Sequence, residues 1–331
     1  RLDAHPDVWD TEARCNLTAL VLAPEDRDVL HARHGRDAGT LRAALLEGAA
    51  ERGALPRGLD GAVLVGSIAG AGRAWPHPLA PGTAVATVGP ADAHPAWFAD
   101  VSAWDGASLV VPCAGHAILP AGTQLLAWTD EDPLLDATDP AAVAELARYA
   151  GVPALVADVT HPGDVVAVLG ATGVAGALAA VAAVDRGAAL VGGLVTSLQE
   201  ARLARALGVA EPVIADVGDP AAAAEALAGA LGGAADVVVV AVEDPAAVTL
   251  ATLLAGDGTV LLVRGRDHGR HAARTAAALG TSPIVRVDRP AVRDAGAGLV
   301  ALVAHVPALD ELVRWRAGTG PAPAATRPED G

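Results

Sequence analysis

The residues best suited to chemistry in this sequence are a run of small ones, Gly170, Ala171, Thr172, Gly173, Val174, Ala175 and Gly176. The all-apolar stretch Val165–Leu169 leads straight into them, and the Ala-rich stretch Val174–Asp185 follows. A strand, a glycine turn and a helix in that order form a cradle for the pyrophosphate of a dinucleotide. The first glycine permits a tight bend, the next lets the backbone approach the phosphates, and the last lets helix and strand pack closely. The helix N-terminus adds free N–H groups and a partial positive charge. Gly170, Ala171, Thr172, Gly173, Val174 and Gly176 are therefore the expected phosphate-side residues.

A second strand ends at Thr196 and Ser197, about 20 residues on, the spacing that the dinucleotide pattern requires. A site that prefers NAD usually carries Asp or Glu there to hold the ribose hydroxyls. Thr196 and Ser197 stand in that place, and their hydroxyls suit a 2′-phosphate. The nearest arginines are Arg202 and Arg205, and Glu200 opposes a phosphate. The cofactor reads as NAD or NADP, with a lean to NADP.

Other reactive groups are sparse. His268 and His271 lie in the Arg/His-rich stretch 264–271, just after the strand expected at Thr259–Val263. Ligands sit at the carboxyl ends of strands in doubly wound sheets, so either imidazole is a candidate proton carrier, against the plainer reading of an exposed polar loop. His31 and His34 fall on an Arg/Asp-rich stretch and read as a solvated face. The ten histidines show no ligand spacing, and two cysteines, Cys15 and Cys113, cannot supply a zinc site, so no metal is expected. The cysteines read as reduced thiols of a cytoplasmic protein. No serine elbow or P-loop appears, and the absence of lysine rules out a Schiff base.

The elements that must hold these groups divide the chain in three. Residues 1–138 are punctuated by Pro and Gly and hold β-type runs at Ala13–Leu22, Ala62–Ile68, Ala84–Val88 and Ser108–Val111. One helix interrupts them at Gly39–Arg52, where Leu41, Ala44, Leu45 and Ala49 keep the helical period. This is an irregular β domain. From 139 to 288, short apolar strands alternate with helices, which makes a Rossmann-type doubly wound parallel sheet covered on both faces. Its first helix starts at Asp139-Pro140 and stops at Gly151. Residues 289–316 supply one more strand and a helix that return to the first domain, and the Pro/Ala/Gly-rich tail 317–331 reads as disordered. The fold class is α/β.

Composition bounds the partners. Hydrophobic residues make up 52% and aromatics 2%, so the core must be built from Ala, Val and Leu. A formal net charge of -16 repels a phosphate backbone, so nucleic acid is not an expected partner. No apolar run reaches the ~18 residues of a membrane span without charge or Gly/Pro breaks. The opening Arg1-Leu2-Asp3 shows no signal-peptide pattern and no initiator Met, the expectation being a trimmed or processed chain.

The order of β domain, dinucleotide domain and short return resembles the medium-chain dehydrogenase/reductase superfamily. Residues Ala62–Gly66 with Gly70, then Pro81–Ala86, resemble its GroES-like catalytic domain. Four segments resemble more closely the L-erythro-3,5-diaminohexanoate dehydrogenase family of lysine fermentation: Arg1–Pro6, His34–Asp37 leading to Ala50–Gly53, Ala150–Ala154, and the turn Gly170–Gly176. Of these, the stretch 34–53 is the distinctive one. The resemblance implies oxidative deamination of a 3,5-diamino acid, a small-molecule substrate and a homodimer. The family's polar stretches are replaced here by Val21–Arg27, Ala54–Asp60 and the loop 264–271, so no catalytic residue carries over. Glu25, Asp26 and Asp60 are candidate anions for a diamine. Two other readings stay open, a zinc-free quinone or enone reductase and a catalytically silent nucleotide-binding paralogue.

Overall fold

The computed structural model describes residues 2–59, 61–89, 91–128, 139–263, 269–287, 299 and 306–326. Two compact units emerge, one built on residues 1–150 and one beginning at Gly151.

In the first unit, β1 (Glu12–Val21) is followed by α1 (Pro24–His34), α2 (Ala38–Arg52), β2 (Val63–Ala71) and β3 (Ala84–Val88). Then come β4 (Ala96–Asp100), β5 (Val110–Pro120), β6 (Gln124–Trp128) and α3 (Pro140–Arg148). The strands form one sheet in the order β4-β5-β1-β2-β3-β6, antiparallel throughout. Alternation along β1 sends Ala13, Cys15 and Leu17 into the core. Helix α2 adds Leu41, Leu45 and Ala49, one residue per turn on one face. Asp37 caps it by accepting the Thr40 N–H at 2.8 Å, and Gly53 ends it in the left-handed conformation (φ 69°). The sequence gives no period for α1, because only Asp26 and Leu30 of its eleven residues are buried.

Helix α3 was expected to open the second domain and instead belongs to the first unit. The Arg148 guanidinium donates to the carbonyls of Gly61 (3.0 Å) and Leu22 (3.0 Å), and it pairs with Glu145 at 2.9 Å. Those bonds tie α3 to the β1 and β2 region, so the boundary falls at Gly151.

The second unit continues with α4 (Val152–Val159), β7 (Val165–Leu169), α5 (Val174–Asp185), β8 (Leu190–Val195) and α6 (Leu198–Ala206). It goes on through β9 (Glu211–Ile214), α7 (Pro220–Leu231), β10 (Val237–Val240), α8 (Pro245–Ala255) and β11 (Thr259–Leu262). It closes with α9 (Gly269–Leu279), β12 (Ile284–Val287) and α10 (Pro307–Arg316). Its strands are all parallel, in the order β12-β11-β10-β7-β8-β9. The chain reverses direction of travel between β7 and β10, the switch point where such sheets bind ligands. Leu169, Val238, Val240, Leu250 and Leu262 lie in its core at 1% exposure or less, consistent with a sheet covered on both faces.

Helix α3 ends at Arg148, just before the stop expected at Gly151–Pro153, and Gly151 then opens the separate helix α4, since Pro at its second position needs no N–H partner. The strand expected within 289–316 falls on positions outside those described. The helix of that segment, α10, packs against α5 in the second unit. The first part of the expected disordered tail is structured. Gly318 N–H donates to the Trp315 carbonyl, Gly320 N–H to the Arg314 carbonyl, and Ala324 N–H to Glu311 Oε2 at 2.7 Å. Among the described residues, no helix is long and apolar enough to cross a membrane.

Candidate dinucleotide-binding site

The glycine turn leaves β7 at the switch point. Val166, Ala167, Val168 and Leu169 are fully buried, which fixes the strand end from which the turn departs. Gly170 takes φ 87°, and a Cβ there would come within 2.5 Å of Val242 Cγ1. Gly176 is held just as closely, since a Cβ on it would collide with the Gly170 carbonyl oxygen. The helix therefore packs onto the turn with no room for a side chain at either position.

Gly173 differs from both. It has an ordinary extended conformation (φ -85°, ψ 159°), and a Cβ there would meet only the Gly170 oxygen, at 3.5 Å. Neither backbone strain nor packing calls for glycine here. The open space in front of it does, if a phosphate must come to the backbone. Ala177 donates to the Gly173 carbonyl at 2.8 Å, while Val174, Ala175 and Gly176 precede this first intrahelical donor. No side chain caps α5, whereas Ser197, Asp219 and Asp244 cap α6, α7 and α8. The turn thus offers uncapped N–H groups and a helix dipole to an anion, and a pyrophosphate fits it.

Arg316 brings a formal charge to the same turn. Its Nη2 donates to the Thr172 carbonyl at 3.3 Å, and its guanidinium lies 4.6 Å from the Trp315 ring centroid. Nothing in the sequence singles it out, because it lies 144 positions downstream and reaches the turn only through α10.

At the end of β8, Thr196 and Ser197 do not stand free. The Thr196 hydroxyl donates to Glu200 Oε2 at 2.8 Å, and its N–H donates to the same oxygen at 2.7 Å. Ser197 Oγ accepts the Glu200 N–H at 3.2 Å and so caps α6. The hydroxyls that favoured a 2′-phosphate are thus tied to a carboxylate and a helix end.

The other candidates hold structural places. His271 Nε2 bonds Thr249 Oγ1 at 3.0 Å, and that hydroxyl also donates to the Pro245 carbonyl, so the imidazole links α9 to α8. His268 and Asp60 lie outside the described residues. Glu25 sits in the exposed first turn of α1. Asp26, 4% exposed, accepts the N–H groups of Ala23 (3.1 Å) and Gly61 (3.3 Å) and works as a backbone clamp. His31, expected on a solvated face, is half-buried and bonds the Gly106 carbonyl at 2.9 Å, while His34 is exposed.

Burial pushes the Cys15 thiol up to about 12, with a further push from Cys113, and burial pushes Cys113 to about 12 as well. Neither is a thiolate near neutral pH. Among the described residues, no group of three or more His, Cys, Asp or Glu gathers as a metal site.

The first unit also holds a pocket of about 640 Å³ that the sequence did not suggest, since neither β4 nor the fold of the first residues was legible. Asp3, His5, Ala49, Trp97 and His116 are among the residues that line it. His116 Nε2 bonds the Ala4 carbonyl at 2.7 Å, and the Trp97 and His116 rings lie 5.5 Å apart.

Residues 1–128 match the family model described as the L-erythro-3,5-diaminohexanoate dehydrogenase N-terminal domain. A comparison with curated protein sequences returns no match. Among solved structures, a 2-haloacrylate reductase is similar at TM-score 0.59 and 15% identity, over 98% of this chain and 92% of the other. A quinone oxidoreductase from Coxiella burnetii is similar at TM-score 0.55 and 17% identity, over 94% and 87%. A crotonyl-CoA carboxylase/reductase solved in complex with NADP is similar at TM-score 0.54 and 15% identity, over 96% and 87%. These likenesses show the fold alone, an α/β fold with a GroES-like β domain and a Rossmann domain. Over its first 128 residues the chain is similar to the L-erythro-3,5-diaminohexanoate dehydrogenase family.

Proposed function

We propose that this protein is an NAD(P)-dependent oxidoreductase that deaminates a 3,5-diamino acid of the L-erythro-3,5-diaminohexanoate type. The observation that carries the cofactor half is the space before Gly173, held open where neither φ nor packing requires glycine. The match over residues 1–128 supports the substrate half. We further propose that the first unit serves the substrate and the second the cofactor, in a cytoplasmic homodimer.

In this reading Gly170, Ala171, Thr172, Gly173, Val174 and Gly176 hold the pyrophosphate. The N–H groups at the start of α5 donate to its oxygens, and Arg316 adds a charge at Thr172. Thr196, Ser197 and Glu200 face the adenosine ribose. A bound nicotinamide would supply the hydride acceptor for the amine-bearing carbon, and hydrolysis would then give ammonia and a 3-oxo acid. The chain positions the two reactants and must take a proton from the ammonium group. No described side chain is assigned to that proton.

The test is to mix the purified protein with L-erythro-3,5-diaminohexanoate and either NAD or NADP and follow reduced-nicotinamide absorbance. Turnover of the diamine supports the reading. Turnover of a quinone with reduced cofactor but not of the diamine would favour a reductase on the same scaffold. Dinucleotide binding without turnover of either would favour a silent nucleotide-binding paralogue. No binding of either dinucleotide by calorimetry overturns the cofactor assignment.

A further inference from the structure

We propose that Glu200 is the residue that sets cofactor choice and that it selects the 2′-hydroxyl of NAD(H) over the 2′-phosphate of NADP(H). The inference rests on the dinucleotide reading of the glycine turn and deepens it at the adenosine end.

Strand β8 lies next to β7 in the parallel sheet, with Leu169 opposite Leu194. The turn after Leu169 and the chain after Val195 therefore emerge side by side at the carboxyl edge. A dinucleotide whose pyrophosphate rests on the turn places its adenosine ribose over the end of β8. Position 196 carries no acid, yet a carboxylate is there. Glu200, in the first turn of α6, folds back over the strand end and takes both the N–H and the O–H of Thr196 on Oε2, at 2.7 and 2.8 Å. Two donors on one oxygen pin the carboxylate in place. Among the described residues Oε1 takes no hydrogen bond, which leaves it to accept from a ribose hydroxyl.

The same arrangement removes what a 2′-phosphate would need. The Thr196 hydroxyl donates to Glu200, and Ser197 Oγ accepts the Glu200 N–H at the α6 N-terminus. No basic residue stands in the first turn of α6, and Arg205 lies in its last turn. Arg202 is two positions beyond Glu200, about 200° around the helix, and it has interactions of its own. A phosphate brought to this strand end meets a fixed negative charge and no described arginine on the Glu200 face.

The experiment measures calorimetric affinities of the whole chain for NADH, NADPH, ADP-ribose and 2′-phospho-ADP-ribose. It uses the wild type and Glu200→Gln and records a thermal melt of each. The wild type is expected to bind NADH and ADP-ribose at least about 10-fold more tightly than their 2′-phosphorylated forms. Glu200→Gln keeps an acceptor for Thr196 but loses the charge, so it should narrow that ratio by about 10-fold, mainly by gaining affinity for the phosphorylated ligands. Should the variant fail to fold, the wild-type ratio is measured between low and high salt. Repulsion from Glu200 is screened by salt, so the ratio must shrink. Equal or tighter binding of the 2′-phosphorylated ligands by the wild type overturns the inference while leaving the dinucleotide site intact. An unchanged ratio in a folded Glu200→Gln protein, whatever its melting temperature, also overturns it and makes Glu200 a structural tie to Thr196 only. Binding of none of the four ligands overturns the dinucleotide reading itself.

Discussion

Replacing Gly173 by Val separates a glycine that the fold needs from one that a ligand needs. At φ -85° and ψ 159° an L-residue is unstrained, and the nearest atom to a new Cβ is the Gly170 oxygen at 3.5 Å, an ordinary contact. Loss of glycine at an N-cap costs about 1 kcal/mol at most. The lost freedom of the unfolded chain returns about 0.4–1 kcal/mol. The net change in stability is then under about 1 kcal/mol, a shift of a few degrees at most in the melting temperature. The added side chain nevertheless occupies the space a pyrophosphate must enter to reach the N–H groups of α5. Affinity for NADH or ADP-ribose should fall by at least about 100-fold, equivalent to roughly 2.7 kcal/mol. Gly176→Ala is the contrasting control, because its Cβ collides with the Gly170 carbonyl and should disturb folding itself. Calorimetric affinity and a thermal melt on the same samples distinguish the two. A Gly173→Val protein that melts like the wild type and binds dinucleotide as tightly would falsify the placement of the pyrophosphate.

Three further outcomes are expected. Arg316→Gln removes the charge beside Thr172 and should weaken ADP-ribose by about 5- to 20-fold with a shallower salt dependence; equal affinity at low salt would show that Arg316 only tethers the turn. Gly53→Ala puts a side chain at φ 69° and into the Leu2 carbonyl, so it should release residues 2–6 from α2. Faster limited proteolysis near the N-terminus and a loss of about 1–3 kcal/mol check it, and unaltered cleavage refutes it. Cys15 and Cys113 should resist a thiol reagent at pH 8 until the protein is unfolded. Below their ordinary value of 9.0 both stay protonated whether folded or not, so they do not affect stability there. Above it the unfolded thiols ionise first, and stability should fall between about pH 9 and the folded value near 12. Stability rising over that window in a denaturant series, measured against Cys→Ala controls, would contradict the burial of the thiols.

Much of the second unit was legible in the sequence. Val165–Leu169 and Val174–Asp185 fall where the apolar runs put them, since a strand buried on both faces is a continuous apolar run and a buried Ala-rich helix needs no polar stripe. The glycine turn was equally plain, for its signal is local: small residues between a strand and a helix. Other elements left no such mark. Helix α1 is too polar to show a period, and β4, β6 and β12 are stretches of four or five residues that become strands only by pairing.

From the sequence alone come the doubly wound sheet, the glycine turn at its switch point and the likeness of the first 128 residues to a family model. Which groups meet there depends on contacts between residues far apart in the chain. Arg316 joins Thr172 across 144 positions, Arg148 ties α3 to the first unit, and Asp26 spends its carboxylate on backbone N–H groups. Glu200 was visible as a charge near the strand end, but its hold on Thr196 was not. Propensity and periodicity act over a few neighbouring residues, whereas a side chain's role depends on which partner its burial brings within about 3 Å.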